Sequence, residues 1–275
     1  TGFTEWTNVT RSRPLVPGHY QPHLPADLGF YDLRLPEARL AQAELARQYG
    51  ITGFVYYHYW FSGKRILSLP IDNLIRNLNI DFPFCLCWAN ESWTNTWGPT
   101  EGSKPGEASL IEQKYSKSDH LNHIKWLYEN VFTDKRYIRH NKRPLLLVFR
   151  TSLIPDISQM VEIWKAYCDE NSLETPFLLQ VESFDKEKDT MPEKIGFDGS
   201  VEFQPNPNLR DHPISVDSND LVYDYEKAVD LHIKSMQRSK DIKFPCVMPG
   251  WDNSARRQDK ATIYINSSPK YFEKW

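Results

Sequence analysis

Cysteine is scarce. Four residues, Cys85, Cys87, Cys168 and Cys246, in a chain of 275 are too few for a disulfide scaffold. Cys85 and Cys87 share one strand face and cannot easily bond each other, so all four are expected to be core thiols. A basic excess is also missing. Lys and Arg number 33 against 36 Asp and Glu, a formal net charge of −3, which excludes a general electrostatic grip on nucleic acid or anionic lipid. The longest apolar runs, such as Leu145-Leu146-Leu147-Val148-Phe149, are far shorter than the ~20 residues of a membrane-spanning helix, so direct membrane insertion is not expected. No Gly-x-Gly-x-x-Gly follows a strand, no Walker-type loop is present, and no Gly-x-Ser-x-Gly elbow offers a serine nucleophile. His58 has no His or Cys partner at metal-ligand spacing nearby, and Pro22 interrupts the His19/His23 pair. Neither a metal nor a cofactor is expected. The chain starts at Thr1 without a basic, apolar leader and stops at Trp275 inside an expected helix, so it reads as a fragment.

What is abundant is aromatic surface: 14 Phe, 14 Tyr and 9 Trp, many of the Trp beside polar residues. Such rings can build a binding surface, or simply a large core.

Strand-like and helix-like segments alternate. Strands are expected near 51–60, 82–89, 144–149, 176–181, 200–203 and 245–248, and helices near 36–49, 118–132, 157–171 and 223–239, with Gly50 stopping the first helix. Segments 61–81, 91–117 and 204–221 read as polar loops, some with short helical pieces. Near-continuous apolar strands separated by helices predict an α/β fold with a parallel sheet covered on both faces, either doubly wound or most of an eight-stranded barrel. With no repeat or linker in view, residues 1–275 are expected to form one domain.

In either parallel architecture, chemistry gathers at the carboxyl ends of the strands. Those ends carry Tyr57, His58, Tyr59 and Trp60; Trp88, Asn90, Glu91 and Trp93; Arg150; Glu182; Glu202; and Trp251 with Asp252. Indole faces can cover a sugar ring while carboxylates and amides bind its hydroxyls, and glycosidic cleavage commonly uses two carboxyl groups. Glu91, Glu182, Glu202 and Asp252 are therefore candidates. For each alone, a structural hydrogen bond at the sheet edge is an equal alternative.

The segments Gly2-Phe3-Thr4-Glu5-Trp6-Thr7-Asn8-Val9, Gly18-His19-Tyr20-Gln21-Pro22-His23-Leu24-Pro25, Tyr56-Tyr57-His58-Tyr59-Trp60-Phe61, Cys87-Trp88-Ala89-Asn90-Glu91, Val181-Glu182-Ser183-Phe184 and Trp251-Asp252-Asn253 resemble the WbsX-type family, also described as a glycoside hydrolase family 99-like domain. The resemblance implies a (β/α)8 TIM-type barrel that acts on a bacterial oligosaccharide or polysaccharide. It also implies that the first and last strands lie outside this chain, together with a closing run that carries the main catalytic carboxylate pair. The catalytic assignment within the chain then falls on Glu91 and Glu182. Tyr57, His58, Trp60, Trp88, Asn90, Trp93, Arg150, Glu202, Trp251 and Asp252 are expected to bind substrate. Robust glycosidase turnover is not expected of the chain by itself. Such proteins often carry the label glycosyltransferase or lipopolysaccharide biosynthesis protein, for which a cytoplasmic location is favoured. Asp217-Ser218-Asn219-Asp220 lacks the Asp-x-Asp spacing of a metal-dependent nucleotide-sugar transferase. A non-catalytic glycan-binding module is the remaining alternative.

Overall fold

The structure, a computed structural model, describes residues 4–77, 79–94, 109–183, 185–206, 213–214, 219–235, 242–257 and 260–275. Gly2, Phe3, Phe184, Asp217 and Ser218 of the segments named above lie outside the described residues, as do 236–239 of the expected fourth helix. The chain divides into two compact units. One comprises Asp32–Glu202 and Asp241–Phe244, the other Thr1–Tyr31, Phe203–Lys240 and Pro245–Trp275.

The strands, in chain order, are β1 (Phe54–Phe61), β2 (Lys64–Ile66), β3 (Phe84–Trp88), β4 (Trp93–Thr94), β5 (Ser109–Ile111), β6 (Arg139–His140), β7 (Arg143–Val148), β8 (Phe177–Glu182), β9 (Gly199–Glu202), β10 (Leu221–Asp224), β11 (Lys243–Phe244) and β12 (Thr262–Ile265). The helices are α1 (Glu5–Arg11), α2 (Pro36–Gln48), α3 (Leu69–Arg76), α4 (Lys117–Asn130), α5 (Ile157–Glu170), α6 (Asp185–Lys188), α7 (Tyr225–Ser235) and α8 (Pro269–Lys274).

The first unit is built on one sheet in the order β11-β9-β8-β7-β3-β1-β2, with β6 added to β7. Every pair from β1 through β3, β7, β8 and β9 to β11 is parallel, and each strand neighbours the next main strand in sequence. Only the short β2 and β6 run antiparallel. This is the strand–helix–strand progression that the sequence predicts, and the parallel α/β class holds. Among the described residues the sheet does not close on itself.

Local chemistry explains the elements. Phe84-Cys85-Leu86-Cys87-Trp88 is buried along its whole length because it lies between two neighbours and is covered on both faces. Helix α5 buries Met160, Val161, Trp164 and Cys168, the i, i+1, i+4, i+8 stripe of an amphipathic helix. Asp156 caps it by accepting from the Gln159 N–H at 3.2 Å. Gly50, at φ +78°, ends α2 in a Schellman turn: Gly50 N–H donates to Arg47 O at 3.2 Å and Ile51 N–H to Ala46 O at 2.9 Å.

The sheet has two unlike faces. One lies under α4 and α5: Trp88 meets His123 at 4.6 Å and Trp164 at 6.5 Å between ring centroids. The opposite face carries Tyr57, whose ring centroid is 6.0 Å from that of Phe149. Two strand spacings, about 9.6 Å, separate β1 from β7. The rings therefore lean toward each other across β3, as expected of a sheet curved toward this face.

Two expectations are corrected. The sixth strand is Lys243–Phe244, not 245–248, because Pro245 has no N–H to continue the ladder with β9. In the second unit, Leu221-Val222-Tyr223-Asp224, where an expected loop meets an expected helix, is strand β10 and pairs in parallel with Thr262-Ile263-Tyr264-Ile265, for which no element was expected. Helix α7 begins only after β10, at Tyr225. Cys85, Cys87 and Cys168 are buried free thiols, while Cys246 is partly exposed.

Candidate functional site

The carboxyl edge of the parallel sheet holds two carboxylate clusters, each gathered around a cation. The first is built from the residues that follow β3 and β7. Asn90 is fully buried. Its Oδ1 accepts the Arg150 backbone N–H at 2.9 Å, and its Nδ2 donates to Arg150 O at 2.8 Å and to Tyr115 Oη at 3.0 Å. Tyr115 in turn donates to Asn90 O at 2.8 Å. This side chain ties the two strand ends together and satisfies backbone groups that have left the ladder.

Arg150, anchored this way, points its guanidinium between two acids. Its Nη1 donates to Glu91 Oε1 at 2.7 Å and its Nε to Glu187 Oε1 at 3.3 Å. The Glu91 side chain is 36% exposed, whereas that of Glu187 is entirely enclosed. Burial pushes the Glu91 carboxyl above the ordinary glutamate range, Arg150 pulls it back in part, and the Glu187 charge pushes it up again. Glu91 is thus a carboxyl raised by burial, held by Arg150 at one oxygen and partly open to solvent.

The second cluster lies at the ends of β8, β9 and β11. Lys243 Nζ is 2.8 Å from Glu182 Oε2 and 3.5 Å from Glu202 Oε1, and Ser200 Oγ donates to Glu182 Oε1 at 2.7 Å. Burial works to lower the Lys243 ammonium, but the two carboxylates outweigh it and raise it above the usual lysine range. Glu182 and Glu202 are register partners on adjacent parallel strands, so both side chains leave the same face of the sheet.

The sequence reading placed more residues at this edge than the structure does. His58, Trp60 and Trp88 are enclosed, at 1%, 4% and 0% exposure, and point into the layer between sheet and helices. His58 Nε2 lies 3.0 Å from His123 Nε2, Trp60 Nε1 donates to Asp119 at 2.9 Å, and the His58 ring stacks on Trp126. A ring with no accessible face cannot cover a sugar, so these three are core residues; their expected binding role is corrected. Tyr57, on the opposite face, is 45% exposed. Trp93 is partly buried, edge-on to Tyr59 at 5.4 Å. Glu91 and Glu182 sit at the same edge of one sheet and belong to different clusters.

Trp251 and Asp252 belong to the second unit. There Asp252 Oδ2 is 2.8 Å from His19 Nε2, accepts from Gln21 Nε2, and Asp252 Oδ1 accepts the Ser254 N–H at 2.8 Å. Burial raises the Asp252 carboxyl, but the bonds from Ser254, His19 and Gln21 outweigh that and hold it below the usual aspartate range. His19 Nδ1 accepts the Leu15 N–H at 3.1 Å, so both ring nitrogens are engaged and the dyad has no free nitrogen for proton transfer. It is a latch between two loops.

Sequence reasoning missed Tyr115, Glu187, Ser200 and Lys243. Glu187 lies in Asp185-Lys186-Glu187-Lys188, a run indistinguishable from a solvated surface turn. Among the described residues no group of three His, Cys, Asp or Glu side chains could hold a metal ion, and no helix is long and apolar enough to cross a membrane.

The first unit is thus a parallel α/β sheet with two carboxylate–cation clusters at its carboxyl edge. Three solved structures share the fold. A glycoside hydrolase-like protein aligns with 98% of this chain and 83% of its own, at TM-score 0.56 and 12% identity. The GH99 endo-α-mannosidase of Bacteroides thetaiotaomicron, in complex with BIS-TRIS-propane, aligns with 91% of this chain and 68% of its own, at TM-score 0.52 and 14% identity. A further structure of that mannosidase aligns at TM-score 0.50. At these identities the likeness is one of fold. The family described as Glycosyltransferase WbsX matches residues 1–275, and the chain belongs to it. The WxcX proteins of two Xanthomonas campestris pv. campestris strains are 40% identical over 281 residues, and the chain spans 39% of their length.

Proposed function

We propose that this chain is the glycan-acting part of a longer protein, working on glycosidic bonds of a bacterial surface or complex polysaccharide in the manner of a glycoside hydrolase. The observation that carries the reading is Glu91: a carboxyl raised by burial, open on one side, and held at one oxygen by Arg150. A carboxyl raised in this way and open to one side is suited to give a proton to a glycosidic oxygen. Glu182, ion-paired to Lys243, supplies the second carboxylate. Tyr57 and Trp93 offer aromatic surface, and Asn90 and Arg150 fix the edge that positions Glu91. In this reading the six consecutive parallel strands are part of a single (β/α)8 barrel domain, and flanking sequence of the longer protein completes it.

The family name favours a second reading, transfer of the glycosyl group to a glycan hydroxyl rather than to water. The same proton donor serves both, since the bond broken is the same and only the acceptor oxygen differs.

The test is turnover of a panel of α-linked oligosaccharides by this chain and by the longer natural protein. Cleavage that becomes stronger with the flanks and is lost in Glu91→Gln supports the reading. Formation of longer oligosaccharides instead of free sugar selects transfer. Full activity of Glu91→Gln in the longer protein assigns the chemistry to other carboxylates and overturns the role of Glu91. No turnover with retained binding selects a glycan-binding module.

A further inference from the structure

The guanidinium of Arg150 is shared, and its second partner is unusual. Glu187 has no exposed side-chain surface, although it is a carboxyl side chain on a helix of only four residues. Its Oε1 collects the Arg150 Nε–H at 3.3 Å, the Ser152 backbone N–H at 3.3 Å and the Ser152 hydroxyl. Its Oε2 is buried with no hydrogen-bond partner. Its backbone is fixed as well: Gln180 Nε2 donates to Glu187 O at 2.9 Å and to Thr190 O at 2.7 Å. A carboxylate buried with one oxygen unsatisfied is costly, and a structural anchor for Arg150 alone would be made more cheaply by a neutral acceptor.

We propose that Glu187 is a positioning residue that governs the protonation of Glu91 through Arg150. It draws the guanidinium toward the buried side, so that Arg150 offers Glu91 only the Nη1 contact. The second Glu91 oxygen, which takes no bond from Arg150, can then face substrate as a protonated donor. The inference deepens the reading of Glu91 as proton donor and rests on it for its catalytic meaning, but the coupling itself is a property of the folded chain. The groups facing Glu91 are Arg150 from the end of β7, Glu187 from α6, and Tyr115 from the segment before α4.

The charge arithmetic sets the direction. Removing the Glu187 charge takes away one competitor for the guanidinium and removes a like charge near Glu91. Both effects favour ionised Glu91. An opposite charge at this range shifts a carboxyl by about 1–3 pH units, so loss of a competing carboxylate should lower the Glu91 midpoint by about 1 pH unit.

The experiment reads the Glu91 carboxyl by carbon NMR across pH in the intact chain, without reference to turnover. Glu187→Gln should lower the Glu91 midpoint by about 1 pH unit, while Glu187→Asp, which keeps the charge, should leave it near the wild-type value. Arg150→Met should move it the other way, upward, and remains informative if Glu187→Gln does not fold. An unchanged midpoint in Glu187→Gln, or in Arg150→Met, overturns the proposal. In the longer protein, Glu187→Gln should move the alkaline limb of kcat downward by the same amount with KM little altered. A shifted NMR midpoint without any turnover in the longer protein would refute the glycan-cleaving reading while leaving the coupling intact.

Discussion

Acid should unfold this chain through His58 and His123. The two rings sit between Trp60, Trp88, Trp126 and Trp164, with Nε2 atoms 3.0 Å apart, so one donates and the other accepts a single proton. Burial pushes His58 down to about 3, with the Arg65 charge adding to it, and pushes His123 well below the usual histidine range. Below about pH 6.5 the unfolded chain takes up protons that the folded chain refuses, so stability falls as pH falls, and the His58 share of the loss levels off near pH 3. Each excluded proton costs about 1.4 kcal/mol per pH unit, so between pH 6.5 and 4.5 the pair costs on the order of 5 kcal/mol. That is comparable to the whole stability of an ordinary domain, about 5–15 kcal/mol. Urea unfolding at pH 7.5, 6.5, 5.5 and 4.5 measures it. The double variant His58→Phe/His123→Leu removes both partners together, so no lone buried polar group is left. Its unfolding free energy should fall less steeply across this range, by up to about 2.7 kcal/mol per pH unit. Asp119, whose carboxyl is raised by burial, acts in the opposite sense but is present in both proteins. Equal pH slopes in the two proteins would refute the argument.

Other substitutions test packing and backbone fit. Arg136 is buried and donates to Leu74 O at 2.9 Å, Asn77 O at 3.0 Å, Ile80 O at 2.7 Å and Asp134 at 2.6 Å, so Arg136→Met should cost about 3–5 kcal/mol in urea unfolding by stranding these acceptors. A Cβ on Gly199 would lie 2.3 Å from Ile242 O, a backbone atom that cannot turn aside. Gly199→Ala should therefore push β11 from β9 and destabilise by about 1–3 kcal/mol, whereas Gly50→Ala at a solvent-facing helix stop should cost about 1 kcal/mol through its positive φ alone.

The main strands and helices were legible because hydrophobic runs and amphipathic stripes are local properties of the chain. Phe84–Trp88 and Arg143–Val148 fall within two residues of where the apolar runs place them. The direction of side chains was less legible. In Phe54–Phe61 aromatics occupy both faces, so a period of two does not say which face meets helices; His58 and Trp60 went to the helix side and Tyr57 to the other. Residues beyond the strand ends fared better. Asn90, Glu91 and Arg150 are released from the pleat and can meet across neighbouring strands, as they do. Glu187 and Lys243 could not be read, because each is brought to its cluster by tertiary placement of a charged segment that looks solvated in sequence. The β10–β12 pair was missed for a related reason: its partners are about forty residues apart, and neither carries a long apolar run.

The account's central claim is that Glu91 is a proton donor at a glycan site on the carboxyl edge of the sheet. The most direct measurement is kcat/KM of the longer natural protein on α-linked oligosaccharides, compared between wild type and Glu91→Gln, with binding of the same oligosaccharides by calorimetry. The account predicts a loss of about 10²- to 10⁴-fold in kcat/KM with binding retained. Wild-type kcat/KM in Glu91→Gln, in a protein that cleaves these glycans, would contradict it.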